Sequence, residues 1–423
     1  MRVTPLRTAL GVFVLGWVLL GAVVAWQLRA DALPTMPQPP EASTEQIEHG
    51  AYLARAGNCM ACHAARGGQP YAGGRFIDTP FGRVVAGNLT PDPQTGLGLW
   101  SPEAFRRALH EGRSRDGRLL VPAFPYTHTA LLCDADVDAL YAHLRRLPPV
   151  QQAQPPHELR FPFNTQAALA VWQLLQFQPR RFEPDVARTA EWNRGAYLVN
   201  GVAHCAACHG SRDAMGGLRE ALGASDLPDG RWHAPSLLDP AQGGLQAWPL
   251  ERIVALLRDG SVADGQTHAT VMGPMAEVVF HGTQHLQADD LQAMAVYLKE
   301  LPVQAERVPA FEPAPAEQMA LGQRVYKQHC VDCHGAQGQG AKGAYPPLAG
   351  NRAVLMASPV NAVQAIVSGG FAPATAGHPQ PYGMPPFRTL LTPVEIAAVA
   401  SFVRQSWGNR AGAVAPLLVQ RVL

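Results

Sequence analysis

Charge is scarce in this sequence. Asp, Glu, Lys and Arg make up 16% of its 423 residues, and 34 basic residues nearly cancel 33 acidic ones. A net charge of +1 gives no broad electrostatic footprint for nucleic acid, so that partner class is excluded. Lysine is almost missing: Lys299, Lys327 and Lys342 are the only three, and arginine carries the rest of the positive charge. There is no G-x-S-x-G and no H-E-x-x-H, so neither a serine hydrolase nor a zinc protease is readable. Gly338-Gln-Gly340-Ala-Lys-Gly343 matches G-x-G-x-x-G, but no βαβ pattern surrounds it and the dinucleotide reading fails on context. Apolar residues are not lacking: at 47% they suffice for packed cores.

Cysteine is limited to seven, an odd number that leaves one over from any all-disulfide framework. Six fall in Cys59-Met-Ala-Cys62-His63, Cys205-Ala-Ala-Cys208-His209 and Cys330-Val-Asp-Cys333-His334. C-x-x-C-H is the c-type haem attachment signature: two thiols at the spacing of the haem vinyl groups, then an imidazole for one face of the iron. Three copies imply three covalently bound haem c groups. A structural zinc protein is the alternative use of the same residues. Some arginines are expected to pair with haem propionates. Cys133, the seventh, reads as a buried packing residue.

The flanks repeat too. A Gly and an aromatic precede each motif: Gly50 and Tyr52, Gly195 and Tyr197, Gly322 and Tyr326. A middle helix follows from Trp100, Trp248 or Ser358, with Ser101 and Ser358 as N-caps before Pro and a glycine at each C-terminus. A last helix is expected over 134–148, 288–302 and 392–407, each with one apolar stripe. The unit resembles the class I cytochrome c fold. The expected architecture is all-α: three tandem domains at 45–148, 191–302 and 317–410 after an N-terminal transmembrane helix. Pro-rich linkers separate them at 149–190 and 303–316. The first linker holds AALAVWQLLQF, read as a helix packing between domains.

Residues 8–28 carry no charge, and arginines flank them. Twenty-one such residues can span a bilayer. The expectation is an anchor in the inner (cytoplasmic) membrane with the bulk facing the periplasm. A cleaved signal peptide ending near Ala30-Asp31-Ala32 is the rival. Residues 33–44 read as a semi-extended spacer off the membrane.

A methionine before the last helix would complete the iron's coordination and raise its potential. Met384 is the only methionine in the third such loop. Met275 is preferred over Met272 in the second. The first loop has none: Phe124 stands where Met is expected. His128, about as far from its attachment histidine as Met275 is from His209, is the candidate ligand there. An open iron is the alternative. His110 and His143, flanked by charge, read as solvated, and His268, His281 and His285 as loop residues.

The stretches GNCMACHAARGG, GGRFIDTPFGRVVAGNLTPDPQTGLGLW, HCAACHG, GAYPPLAGNR and PYGMPPF resemble the three-haem cytochrome c subunits of bacterial membrane-bound dehydrogenases for alcohols, aldehydes, gluconate and fructose. The likeness covers roughly residues 45–410 and looks nearest to the cytochrome partners of periplasmic molybdenum hydroxylases. It implies a non-catalytic electron-transfer subunit. Electrons would arrive from a catalytic dehydrogenase subunit and leave to ubiquinone or a terminal oxidase. Two features depart from the family: Phe124 replaces a methionine some members keep, and the expected anchor is N-terminal rather than a C-terminal amphipathic segment. A peroxidase-like haem enzyme with an open iron in the first domain is the rival function.

Overall fold

The computed structural model describes residues 5–29, 31–263, 268–305 and 310–423. Side chains of 5–12, 20 and 263 lie outside that description, as do Ala30 of the expected cleavage site and 306–309 of the second linker. The chain forms two compact units, Met1–Leu53 with Cys62–Phe182, and Ala54–Ala61 with Glu183–Leu423.

Helices make the frame, but the loops carry short antiparallel ribbons, which amends the all-α expectation. In the first unit Phe76–Thr79, Gly82–Val85 and Glu158–Leu159 form a three-stranded sheet. The second unit includes the ribbons Gly210–Arg212 with Leu218–Ala221 and Gly370–Phe371 with Gly383–Met384.

Around each C-x-x-C-H motif lie a leading, a middle and a closing helix. They are Thr44–Ala56, Pro102–Glu111 and Asp134–Leu144; then Ala190–Tyr197, Leu250–Asp259 and Ala288–Lys299; then Ala316–His329, Val360–Ser368 and Pro393–Gln405. Ser101 caps the first middle helix, its hydroxyl accepting from the Ala104 N–H at 3.1 Å. Ser358 does not repeat this, because the third middle helix starts one residue later with Pro359 as its N-cap. Gly112, Gly260 and Gly369 end the middle helices at positive φ, as expected. Thr392 and Glu395 close a capping box at the start of the last helix.

Leading and closing helices meet at a glycine in all three places. A Cβ on Gly50 would lie 1.9 Å from the Ala139 carbonyl oxygen, one on Gly195 2.0 Å from that of Ala293, and one on Gly322 2.2 Å from that of Ala398. Each glycine also faces the side chain four residues beyond that alanine: His143, Tyr297 and Phe402. Only a residue without a side chain lets two helix backbones approach so closely. His143 thus sets its Cβ at a crossing and is half-buried. Carboxylates tie the helices further: Asp136 to His49 at 2.7 Å, and Asp290 to Arg194 through two bonds of 2.7 and 2.8 Å.

A cation ends each closing helix against backbone carbonyls. Arg145 donates to Leu97 O at 2.8 Å and Pro37 O at 2.9 Å, and Lys299 to Trp248 O at 2.6 Å and Gln246 O at 3.1 Å. Arg404 donates to Val354 O at 2.7 Å and Met356 O at 3.0 Å. Its burial pulls the guanidinium down to about 10. Arg404→Ala strands these carbonyls and should cost roughly 3 kcal/mol, read as a lower unfolding midpoint. Arg404→Lys should restore most of that, since lysine does this work at 299. Equal loss in both variants would defeat the idea.

The transmembrane expectation is corrected. Residues Pro5–Gln27 do form a helix, yet among the described residues no helix is long and apolar enough to cross a membrane. The end of Pro5–Gln27 is tied down: Val24 packs on Leu119, Leu169 and Ala170, and Gln27 meets Gln173 at 3.2 Å. The inner-membrane, periplasm-facing placement rested on that span and is withdrawn with it. The spacer is likewise laid on the first unit, with Leu33 N bonded to Arg115 O and Met36 N to Leu99 O. The linker helix Gln166–Gln176 buries Leu169 and Ala170 within that same unit.

Candidate functional site

Each attachment motif sits in a tight turn between its leading helix and a glycine-rich loop. Cys59–Cys62 is one helical turn, Cys205–Ala207 a 3₁₀ turn and Val331–His334 another helical turn. None of the six motif cysteines is in a disulfide, and each residue keeps some solvent exposure. Burial of the sulfur still pushes the Cys205 thiol up to about 12 and that of Cys330 to about 11.

The three motif histidines share one geometry. His63 Nδ1 bonds the Gly87 carbonyl at 2.7 Å, His209 Nδ1 that of Pro235 at 2.7 Å, and His334 Nδ1 that of Pro346 at 3.0 Å. A carbonyl only accepts, so Nδ1 carries the proton and Nε2 keeps its lone pair for a metal. Burial lowers the pKa of all three rings and so favours the neutral, ligating form. The loop carbonyls were not singled out from sequence. Gly87 precedes the Asn-Leu-Thr-Pro run, Pro235 the Ser-Leu-Leu-Asp-Pro run, and Pro346 lies in the third loop. Among the described residues no group of three or more His, Cys, Asp or Glu side chains is arranged to hold a metal ion. The donor set, two thiols a turn apart plus one oriented imidazole, fits covalent haem and not a zinc site.

The sixth-ligand candidates are placed differently. Met384 lies on the ribbon strand Gly383–Met384 and packs against the hydrophobic core that includes Val325, Tyr326 and Phe387, against which Cys330 and Val331 also pack. Met275 is half-buried in the helix Gly273–His281. Met272 caps that helix, and its Cε stands 3.4 Å from where a Cβ on Gly370 would be. His128 is 7% exposed in the short helix Tyr126–Thr129. Thr129 donates to Leu109 O at 2.7 Å, and Thr283 bonds Leu257 O in the same way. That register matches His128 with Gly282, not with Met275.

Two other sequence readings are overturned. His110 is 2% exposed, and its pKa falls to about 4 through burial and the nearby Arg181. Its flanking charges lie on the outer face of the helix, whereas His110 lies on the face that buries Phe105 and Leu109. Cys133 is exposed, because it is the N-cap residue outside the closing helix and not part of its apolar stripe. The arginine at the end of the first and third closing helices binds carbonyls, and a shared six-residue offset from Ala139, Ala293 and Ala398 could have revealed it.

The cytochrome c family matches residues 193–302 and 319–407. A nicotinate dehydrogenase subunit of Pseudomonas putida is 38% identical over 93% of this chain, which spans only 33% of that protein. The cytochrome c subunit of the alcohol dehydrogenase (quinone) of Gluconobacter oxydans is 36% identical, covering 90% of this chain and 83% of its own length. The fructose dehydrogenase cytochrome subunit of Gluconobacter japonicus is 32% identical over 92% and 85%. None of these three is named a peroxidase, and the haem-enzyme rival gains no support.

Proposed function

This chain belongs to the cytochrome c subunits of bacterial dehydrogenases, and from that premise we propose that it carries three haem c groups and relays electrons from a catalytic dehydrogenase subunit to ubiquinone or a terminal oxidase. Nicotinate-type or alcohol-type partners are both represented among the relatives. The domains are 45–148, 191–302 and 317–410. The supporting observation is one arrangement found three times: a glycine crossing, an imidazole held through Nδ1 and a terminal cation on carbonyls.

Bound haem would supply one-electron redox chemistry at each motif. The chain's own residues do the rest. Cys59 with Cys62, Cys205 with Cys208 and Cys330 with Cys333 would hold the three groups by thioethers. His63, His209 and His334 would ligate through Nε2. Met384 and Met275 would ligate the third and second irons. The contact of Met272 with Gly370 favours Met275 in the second. For the first, His128 is the proposed ligand, reached from a different point of its loop.

The purified protein should give three haems per chain in a pyridine haemochrome assay, and its co-purifying catalytic subunit should reduce it with substrate alone. A count of zero, or a haem-loaded chain that no dehydrogenase subunit reduces, would refute the relay.

A further inference from the structure

His204 directly precedes Cys205 and has no part in haem ligation as proposed. The leading helix Ala190–Tyr197 runs into a widened turn, Leu198–Val202, closed by Ala203 N on Leu198 O at 2.7 Å. His204 then adopts φ 39° and ψ 44°. This left-handed conformation is unfavourable for a residue with a side chain and free for glycine. The two irregularities together aim the imidazole at the peptide before another attachment cysteine: His204 Nε2 donates to the Gly57 carbonyl at 3.1 Å. Gly57 is two residues from Cys59, and Ala54–Ala61 belong to the same compact unit as His204. Gly282 lies close to the same peptide: a Cβ added to it would fall 3.1 Å from Arg55 O and 3.7 Å from Asn58 Cβ. His329 has the same place before Cys330 but a different setting: it ends the helix Ala316–His329 and meets the Phe387 ring edge-on at 6.2 Å.

We propose that His204 is a positioning residue for electron exchange between the haems on Cys59 and Cys205. It clamps the two attachment peptides at a fixed separation. It also joins them by a route of covalent bonds interrupted by a single hydrogen bond. Electronic coupling decays far more steeply across van der Waals gaps than along bonds and hydrogen bonds, so that route matters. In the step, one iron loses an electron and the other gains it. No bond breaks, and the Nε2 proton of His204 stays in place. The electron comes from the dehydrogenase partner. This rests on the reading that both motifs carry haem.

The test uses the full haem-loaded chain, with single electrons injected by a pulse and their redistribution followed among haems resolved by prior redox titration. His204→Gly frees the backbone of its cost while removing the ring. It should keep the haem count, spectra and midpoint potentials of the wild type, yet slow exchange between first and second haems several-fold. His204→Gln, whose amide can donate to Gly57 O, should recover most of the rate, and His329→Gly should leave it alone. Wild-type exchange in His204→Gly overturns the proposal. So does slowing accompanied by displaced potentials, the mark of a merely structural effect. The haem count of the wild type is read separately: absence of haem at Cys59 or Cys205 would bring down the underlying reading and this proposal with it.

Discussion

Gly195→Ala should severely destabilise the second domain. The added carbon would lie 2.0 Å from the Ala293 carbonyl oxygen, 2.6 Å from its carbon and 2.8 Å from Tyr297 Cβ. Two of these are backbone atoms of a buried helix, Ala293 being 2% exposed, so no rotamer change can relieve the clash. The two helices must separate, which strains the Arg194–Asp290 pair and the bond from Asn200 Nδ2 to the Tyr297 hydroxyl. Alanine's helix propensity returns only about 1 kcal/mol. Overpacking of a tight core costs about 1–3 kcal/mol and more where backbone is the obstacle, so the net is a clear loss. Gly50→Ala and Gly322→Ala should act likewise at their own crossings, with 1.9 and 2.2 Å to the facing oxygens. Gly412→Ala is the control, since its Cβ would meet nothing within 4 Å. Thermal unfolding and haem content check this. If Gly195→Ala melts with Gly412→Ala, the crossing is not what holds the pair.

That glycine shows how far the sequence could be read. Its recurrence before each attachment motif was legible, and so was its place on a helix. Its purpose was not, because the partner carbonyls lie 76 to 98 residues away on the closing helix. Helix positions followed from period and caps, since these are local properties. The terminal cations were missed for the opposite reason. Arg145, Lys299 and Arg404 differ in residue type, and an arginine in a haem domain suggests a propionate before it suggests backbone carbonyls. The N-terminal run misled because apolar length alone speaks of a bilayer, whereas Val24 and Gln27 are held by Leu169 and Gln173, residues far off in sequence. His110 misled because charge adjacent in sequence points to the other side of a helix.

Met384→Ala should have the largest effect on redox behaviour. Methionine opposite histidine raises the potential of a c-type haem, so its loss lowers the third potential and opens a coordination position. The drop should be on the order of 0.1 V, part of the roughly 0.8 V range that axial ligands command. The loop gives the residue little freedom to be replaced by a neighbour. Gly370 pairs with Met384 across the ribbon, and a Cβ on Gly369 would sit 2.2 Å from the Met384 carbonyl oxygen. The same loop offers no second methionine, so carbon monoxide should bind the ferrous variant at one haem and not the wild type at that site. Met384→His should close the position again while leaving the potential low, which separates ligation from packing. The second domain supplies an internal comparison. Met275→Ala should reproduce the drop there, whereas Met272→Ala should leave the titration in place, because its Cε is turned to Gly370. An unchanged titration in Met384→Ala would refute the assignment. If Met272→Ala lowered the second potential and Met275→Ala did not, the two methionines would exchange roles and the helix Gly273–His281 would be a packing element only.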